Sequence, residues 1–405
     1  MTHNKLLLQF LLIAIIIKLI AIFYTKLDLF GDEAQYWIWS KNLAWGYYSK
    51  PPLLAWVVGL YTLLIGNSFI SIKLIPISIY FFSSFLIYFL SFALFKKKDL
   101  AIISAGSFYL LPSVTISSFL LSTDVVLIFF WILSLIFLIR TRENPSKINI
   151  IITGLCVGLS FLAKYAAVYF LISFVIFILI DKKTLIVFLK NKINTLIFIF
   201  SISIVLLPNI FWNKRNDWIT FSHTSDNANL GKLNINFIQG LEFLISQSIM
   251  LGPLLVIFFI IFYKKVKYNY QTKFLLSFSL PVFLIVLVES VLVRANANWA
   301  AVGIIPMFIL MVSYVYKNSK SLLFYNNILN FCFCLIFFCL VAFMPNIKVF
   351  DRINGISEFS EILDKNYLKQ KNYLVVDDRL IYSNLKYKFR DSNLIIYTPH
   401  KPNTK

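Results

Sequence analysis

Asp32 and Glu33 are adjacent carboxylates in the loop that follows an apolar run, Leu6–Tyr24, and open an aromatic stretch that ends Tyr47-Tyr48-Ser49-Lys50-Pro51-Pro52. Acids beside lipid are costly, and where they persist they usually do chemistry, moving a proton or holding a cation. The plainer reading makes them caps, their charge favoured at the start of a helix beginning at Ala34. Lys50 precedes two prolines. The residue before proline is pushed into extended backbone and Pro51-Pro52 stiffens the chain beyond it, so one ammonium is held near the membrane surface. An ordinary interfacial lysine reads the same way. The rings between these groups (Tyr36, Trp37, Trp39, Trp45, Tyr47, Tyr48) suit either the apolar faces of a sugar or an interfacial belt.

Further along, Asp124 stands just before an apolar helix, as an N-cap or as a ligand. Lys164 interrupts a long apolar stretch and reads equally as a turn lysine. Arg294 closes an apolar run, either anchoring it at the interface or binding an anion. A long polar loop, Trp212–Phe237, offers Asn213, Asn216, Asp217 and His223 as contacts for a polar substrate, or as solvated loop residues. Lys18 and Lys73 fall inside apolar sequence, where snorkelling to the interface accounts for both.

These groups must be positioned by membrane helices. Hydrophobic residues make up 59% of the 405 positions and charged residues 14%, with mean hydropathy +0.79; a soluble domain carries about 25% charged residues. The net charge of +20 is no sign of nucleic acid, because Lys and Arg sit in short clusters between apolar runs, the pattern that sets membrane orientation. The four cysteines lie within apolar runs, and with only three histidines (His3, His223, His400) no Cys/His metal site is expected. Leu6–Tyr24 lacks a small-residue cleavage site and reads as a retained first helix.

Runs of about 20 apolar residues, divided by basic loops, predict an all-α polytopic membrane protein of about eleven transmembrane helices. Pro51–Ile65 reads as a re-entrant or interfacial piece ahead of the span Phe69–Phe95, and Leu100–Ser117 as one continuous span. Basic clusters at 96–98, 140–147, 182–192, 264–273 and 317–320 all fall on one side, the cytoplasmic one. The loops Thr25–Lys50, Ser117–Asp124, Trp212–Phe237 and Arg294–Asn298 then share the periplasmic side. Residues 1–344 form the membrane domain. At 345–405 the composition turns soluble, giving a small periplasmic α/β segment with strands at Tyr373–Val376 and Leu394–Tyr397, a helix over Arg379–Phe389 between them, and a surface docked on the membrane part.

Taken in order, these stretches resemble a known family. Asp32-Glu33-Ala-Gln-Tyr-Trp-Ile-Trp-Ser with Trp-Gly-Tyr-Tyr-Ser-Lys50-Pro51-Pro52 resembles the first loop of bacterial family 39/83 glycosyltransferases. These are GT-C-fold enzymes related to aminoarabinose–lipid A transferases, rhizobial lipopolysaccharide galacturonosyltransferases and protein O-mannosyltransferases. Ser122-Thr123-Asp124, Phe161-Leu162-Ala163-Lys164-Tyr165, Pro208-Asn209-Ile210-Phe211-Trp212-Asn213 and Ala295-Asn296-Ala297-Asn298-Trp299 are similar to its later landmarks. The tail resembles no member.

The resemblance implies an inverting transfer of one sugar from polyprenyl (undecaprenyl) phosphate to an envelope glycolipid, lipid A or lipopolysaccharide core. The site would face the periplasm of a bacterial inner membrane. It casts Asp32 as the carboxylate at the acceptor with Glu33 beside it, and Lys50 and Arg294 as ligands of the donor phosphate. Asp124, Lys164, Tyr48, Asn213 and His223 become substrate contacts. No cofactor is required, while a divalent cation on Asp32, Glu33 and Asp124 is left open by their spacing. The same chemistry on a protein Ser or Thr is the nearest alternative. A lipid-linked sugar transporter, with charges at mid-membrane and repeat symmetry, is the alternative of another class.

Overall fold

The computed structural model describes residues 3–228, 235–368 and 373–399. Its helices run in chain order α1 His3–Tyr24, α2 Gly31–Ser40, α3 Leu53–Ile65, α4 Phe69–Phe95, α5 Lys98–Tyr109, α6 Pro112–Ser117, α7 Thr123–Glu143, α8 Lys147–Ala163, α9 Val168–Ile180 and α10 Lys182–Leu185. They continue as α11 Lys192–Arg215, α12 Ile219–Ala228, α13 Phe237–Leu251, α14 Pro253–Phe262, α15 Tyr270–Ser277, α16 Leu280–Leu292, α17 Ala301–Asn318, α18 Lys320–Phe343, α19 Ile356–Leu363 and α20 Arg379–Lys388. Two parallel strands, β1 Tyr373–Val375 and β2 Ile395–Tyr397, flank α20, with Tyr373 opposite Ile395.

Among the described residues seven helices are long and apolar enough to cross a membrane, or eight if α13 and α14, bent by 96°, form one span. The bend falls at Gly252, whose φ of +92° suits glycine, and Pro253 follows at the first turn of α14. Three further apolar helices are shorter, Leu53–Ile65, Lys147–Ala163 and Tyr165–Ile180. At about 1.5 Å per residue, α3 with its 13 residues is too short for a hydrocarbon core about 30 Å thick. The expected span Leu100–Ser117 is two helices, α5 and α6. Pro112 opens the second, because its ring cannot continue α5.

Two ends of the bundle have different characters. At one, the basic loops come together: Lys96 pairs with Glu143, Arg142 forks onto Asp181 at 2.8 and 2.9 Å, and the Lys317 ammonium lies over Phe95. From there α7 rises through 21 residues, about 30 Å, so Asp124 in its first turn stands roughly one bilayer away from Arg142 in its last. The other end carries α2, α6, the turn after α8 and the segment 294–298.

Helices around the site pack tightly. Gly154 and Gly158, four residues apart on α8, let α11 approach so closely that a Cβ on Gly154 would lie 2.6 Å from Ser201 Cβ. Small residues at this spacing are the usual device for close helix contact in a membrane. At the centre α17 is 89% buried, the most enclosed of the spans, and α5, α7, α14, α15 and α18 gather round it. Phe10 of α1 stacks on Phe331 of α18 at 4.5 Å.

Candidate active site

α2 is a short helix laid across the end of the bundle, and its two acids part company. Successive residues of a helix point about 100° apart. Glu33 turns inward and is fully buried. Its Oε2 accepts from Phe30 N at 2.8 Å and from Lys73 Nζ at 2.6 Å, and its Oε1 accepts from Leu121 N at 2.7 Å. Lys73 also donates to Phe119 O at 3.0 Å. Glu33 thus ties α2 to α4 and to the turn before α7, and it does not line the cleft. Lys73 is fully buried rather than snorkelled to the interface. So is Lys18, whose ammonium donates to Ser118 Oγ at 3.0 Å and sits 3.8 Å from the Tyr109 ring centroid.

Asp32 faces the other way, into a cleft of about 520 Å³. Lys50, Asp124, Lys164 and Arg294 line the same cleft, joined by Tyr36, Glu289, Asn298 and Trp299. Five of the nine expected site residues therefore meet in one cavity, although more than 260 positions separate Asp32 from Arg294.

Within it the charges divide into committed and free. Lys164 donates to Asp124 Oδ1 at 2.7 Å, and Asn298 Nδ2 donates to Asp124 Oδ2 at 2.8 Å. Both carboxylate oxygens are satisfied, so Asp124 welds α7 to the turn after α8 and to the segment before α17. That segment is pinned again by Gln247, which donates to Ala297 O at 2.8 Å. By contrast, the side chains of Asp32, Lys50, Arg294 and Glu289 make no hydrogen bond or ion pair among the described residues. Burial holds the Lys50 ammonium below its usual range; Lys164 and Arg379 add repulsion, and Asp32 and Asp124 oppose it. Burial, with the Asp32 and Asp124 charges, holds the Tyr36 hydroxyl well above its usual range, so it stays a proton donor facing the cleft.

Lys50 is placed by the aromatic loop behind it. Tyr47 N donates to Lys50 O at 3.2 Å, and the Tyr47 ring stacks on Trp39 at 4.7 Å. Thr220 Oγ1 donates to Tyr47 O at 2.6 Å, and Asn209 Nδ2 to Trp45 O at 2.6 Å. Gly46 lies flat under Trp212, where any Cβ would clash at 2.3 Å. Asn213 belongs to this framework. It is fully buried, donates to Asn209 O at 3.0 Å and to Tyr165 Oη at 3.3 Å, and does not line the cleft. Tyr48 and His223 stand together outside it, their rings edge to face at 4.9 Å. Burial lowers the His223 pKa, and the Arg379 and Lys50 charges lower it further. The Asp217 of the same loop and the neighbouring Asn216 do not line the cleft.

Among the residues in or beside the cleft that carried no assignment from the sequence, three stand out. Asn298 sits inside the stretch Ala295–Trp299, singled out for its resemblance to a family landmark, without a role. Glu289 is the lone acid of the apolar run Phe274–Val293, a signal that was there to be read. Arg379 comes from the C-terminal segment and gave no signal. As for a metal, no group of three or more His, Cys, Asp or Glu is arranged to hold one among the described residues. Glu33 and Asp124 have their oxygens engaged elsewhere.

Comparisons with known proteins give the family and the fold. Residues 49–212 match the family of dolichyl-phosphate-mannose-protein mannosyltransferases. The chain is 31% identical over 394 residues to lipid A galacturonosyltransferase RgtD of Rhizobium johnstonii, covering 94% of this chain and 82% of that protein. Among solved structures it resembles ArnT from Cupriavidus metallidurans bound to undecaprenyl phosphate, with TM-score 0.67 at 11% identity, covering 98% of this chain and 90% of that one. The apo form of ArnT gives a TM-score of 0.66.

Proposed function

The chain belongs to the GT-C family of multi-pass membrane glycosyltransferases that includes the lipid A galacturonosyltransferases, and from that membership we propose that it moves one sugar from polyprenyl phosphate to lipid A or a neighbouring envelope glycolipid. The observation that carries the reading is the pairing of an uncommitted carboxylate, Asp32, with uncommitted cations, Lys50 and Arg294, in one cleft. The cleft faces the periplasm, opposite the end where the basic loops gather. Residues 1–344 carry the chemistry and 345–405 cap it from that side.

In the reaction the acceptor hydroxyl oxygen attacks the anomeric carbon as the carbon–oxygen bond to phosphate breaks on the opposite face, inverting the configuration. Asp32 takes the hydroxyl proton. The departing polyprenyl phosphate gains a negative charge, which Lys50 and Arg294 are placed to stabilise where charge develops. The Lys164–Asp124–Asn298 group holds the cleft's walls, and Tyr36 offers a hydroxyl to the sugar. The step as written draws on no cofactor.

Mass spectrometry of lipid A and lipopolysaccharide from wild type, deletion and Asp32→Asn strains at matched membrane abundance tests the reading. One sugar mass should vanish in both mutants. A glycolipid unchanged by deletion would remove this acceptor and point to a protein Ser or Thr instead.

A further inference from the structure

The cations near the cleft are not all supplied by the membrane part. Arg379 opens α20, and its guanidinium donates to Ser49 Oγ at 3.2 Å and lies 5.7 Å from the centroid of the Tyr48 ring. It forms no ion pair with a carboxylate among the described residues. Ser49 adjoins Lys50, whose ammonium is unpaired too, and His223 completes the group against Tyr48.

The helix that carries Arg379 is firmly seated. Leu380 packs on Gly31, where a Cβ would come within 2.7 Å of Leu380 Cβ. The Tyr387 ring meets Trp37 edge-on at 5.1 Å, and its hydroxyl donates to Asn67 O at 3.0 Å. Lys388 pairs with Asp28 at 2.8 Å. A rigid helix thus brings an unpaired guanidinium beside an unpaired ammonium, an arrangement whose mutual repulsion an anion would relieve. The planar fork of arginine matches phosphate and carboxylate.

We propose that Arg379, with Tyr48 and His223, forms an anion subsite on the outer rim of the cleft that holds a phosphate or carboxylate on the headgroup of the acceptor. The proposal rests on the reading in which Lys50 and Arg294 hold the donor phosphate. A polyprenyl chain ties that phosphate to the bilayer, beside the helices of the membrane part. Arg379 stands on a polar helix apart from the spans, so its ligand is the group that arrives from the other side.

The test uses the full-length protein in lipid nanodiscs and native mass spectrometry. The probes are phosphorylated lipid A, dephosphorylated lipid A, a dephosphorylated glycolipid bearing an acidic core sugar, and undecaprenyl phosphate. Wild type should prefer an anionic glycolipid over the neutral one by about ten-fold, the effect of one charge-assisted hydrogen bond. Which anionic probe gains tells phosphate from carboxylate. Arg379→Gln should erase the preference and leave undecaprenyl phosphate binding within about two-fold, while Arg379→Lys restores part of it. Equal binding of neutral and anionic glycolipids by wild type overturns the subsite. So does an Arg379→Gln protein that keeps the preference, or one that loses undecaprenyl phosphate instead. If the preference is present but wild type, supplied in the same nanodiscs with polyprenyl-phosphate-linked sugar, transfers none to lipid A, the subsite stands and the functional reading falls.

Discussion

Glu33 Oε2 lies 2.6 Å from Lys73 Nζ, and both side chains are closed to solvent, while Asp32, one residue earlier, opens onto the cleft. Two neighbouring acids have been given separate work by a single step around a helix. The buried pair sets where α2 sits, and the position of α2 sets where the Asp32 carboxylate points. A buried charge pair is weak as net stabilisation, but removing one partner strands the other in a medium that cannot solvate it.

Breaking that pair should therefore unfold the protein before it touches the chemistry. Lys73→Met is expected to cost about 3–5 kcal/mol. Glu33→Gln should fall in the same range, because the amide cannot accept all three hydrogen bonds. Asp32→Asn should change stability by less than about 1 kcal/mol and abolish transfer. Thermal unfolding in detergent beside a transfer assay separates the two. An Asp32→Asn protein that unfolds like Lys73→Met would show that the acids have been assigned the wrong way round.

Asp124, Lys164 and Asn298 behave as one unit, since both oxygens of a single carboxylate bind the other two. Lys164→Met and Asp124→Asn should each lower kcat/KM, and the double variant should be little worse than either. Coupling across the cycle should exceed about 0.5 kcal/mol, the level above which contacting residues fail to add. Strict additivity would mean that each touches substrate independently.

Lys50 gives the donor site a pH signature. Its pKa is lowered, chiefly by burial and then by Lys164, so its charge is lost at a lower pH than that of an ordinary lysine. The charged form binds the phosphate. Undecaprenyl phosphate affinity should be full below the lowered value and fall as pH rises through it. Lys50→Arg should move that fall upward, out of the measurable range, because guanidinium stays charged. A wild-type affinity flat up to pH 10.5, the usual lysine value, would remove Lys50 from the phosphate.

Much of this site was legible in sequence, and the reasons for the gaps are physical. Asp32, Lys50, Asp124, Lys164 and Arg294 could be picked out because ionisable groups are rare among apolar runs, and the span pattern put all five at one end. What the sequence withheld was orientation. Nothing in the pair Asp32-Glu33 tells which acid faces inward, as that depends on Lys73 arriving from α4. Asn213 reads as a loop residue available to substrate, yet α11 runs on to Arg215 and buries it. The break at Pro112 is hidden from hydropathy, which averages over backbone geometry. Arg379 was invisible for another reason: in polar sequence a single arginine stands out from nothing.

The seating of the C-terminal helix offers the last check. Asp28 is almost fully buried, which alone would raise its pKa. Its bonds to Lys388 and to Ser357, whose N donates at 3.0 Å and Oγ at 2.5 Å, more than reverse this, and the net shift is downward. A carboxylate depressed in the fold contributes stability that is present above its unfolded value of 3.8 and is lost as pH falls through the folded one. At pH 7 the contribution is therefore fully present, and Asp28→Asn should release α19 and α20 from α2 without disturbing the spans. Gly31→Ala should do the same by a different route, since its methyl would displace Leu380. Limited proteolysis at pH 7 should cut both variants within residues 345–405 several times faster than wild type, leaving the membrane part intact. Equal cutting rates would mean that contacts such as Tyr387 with Trp37 hold the helix unaided.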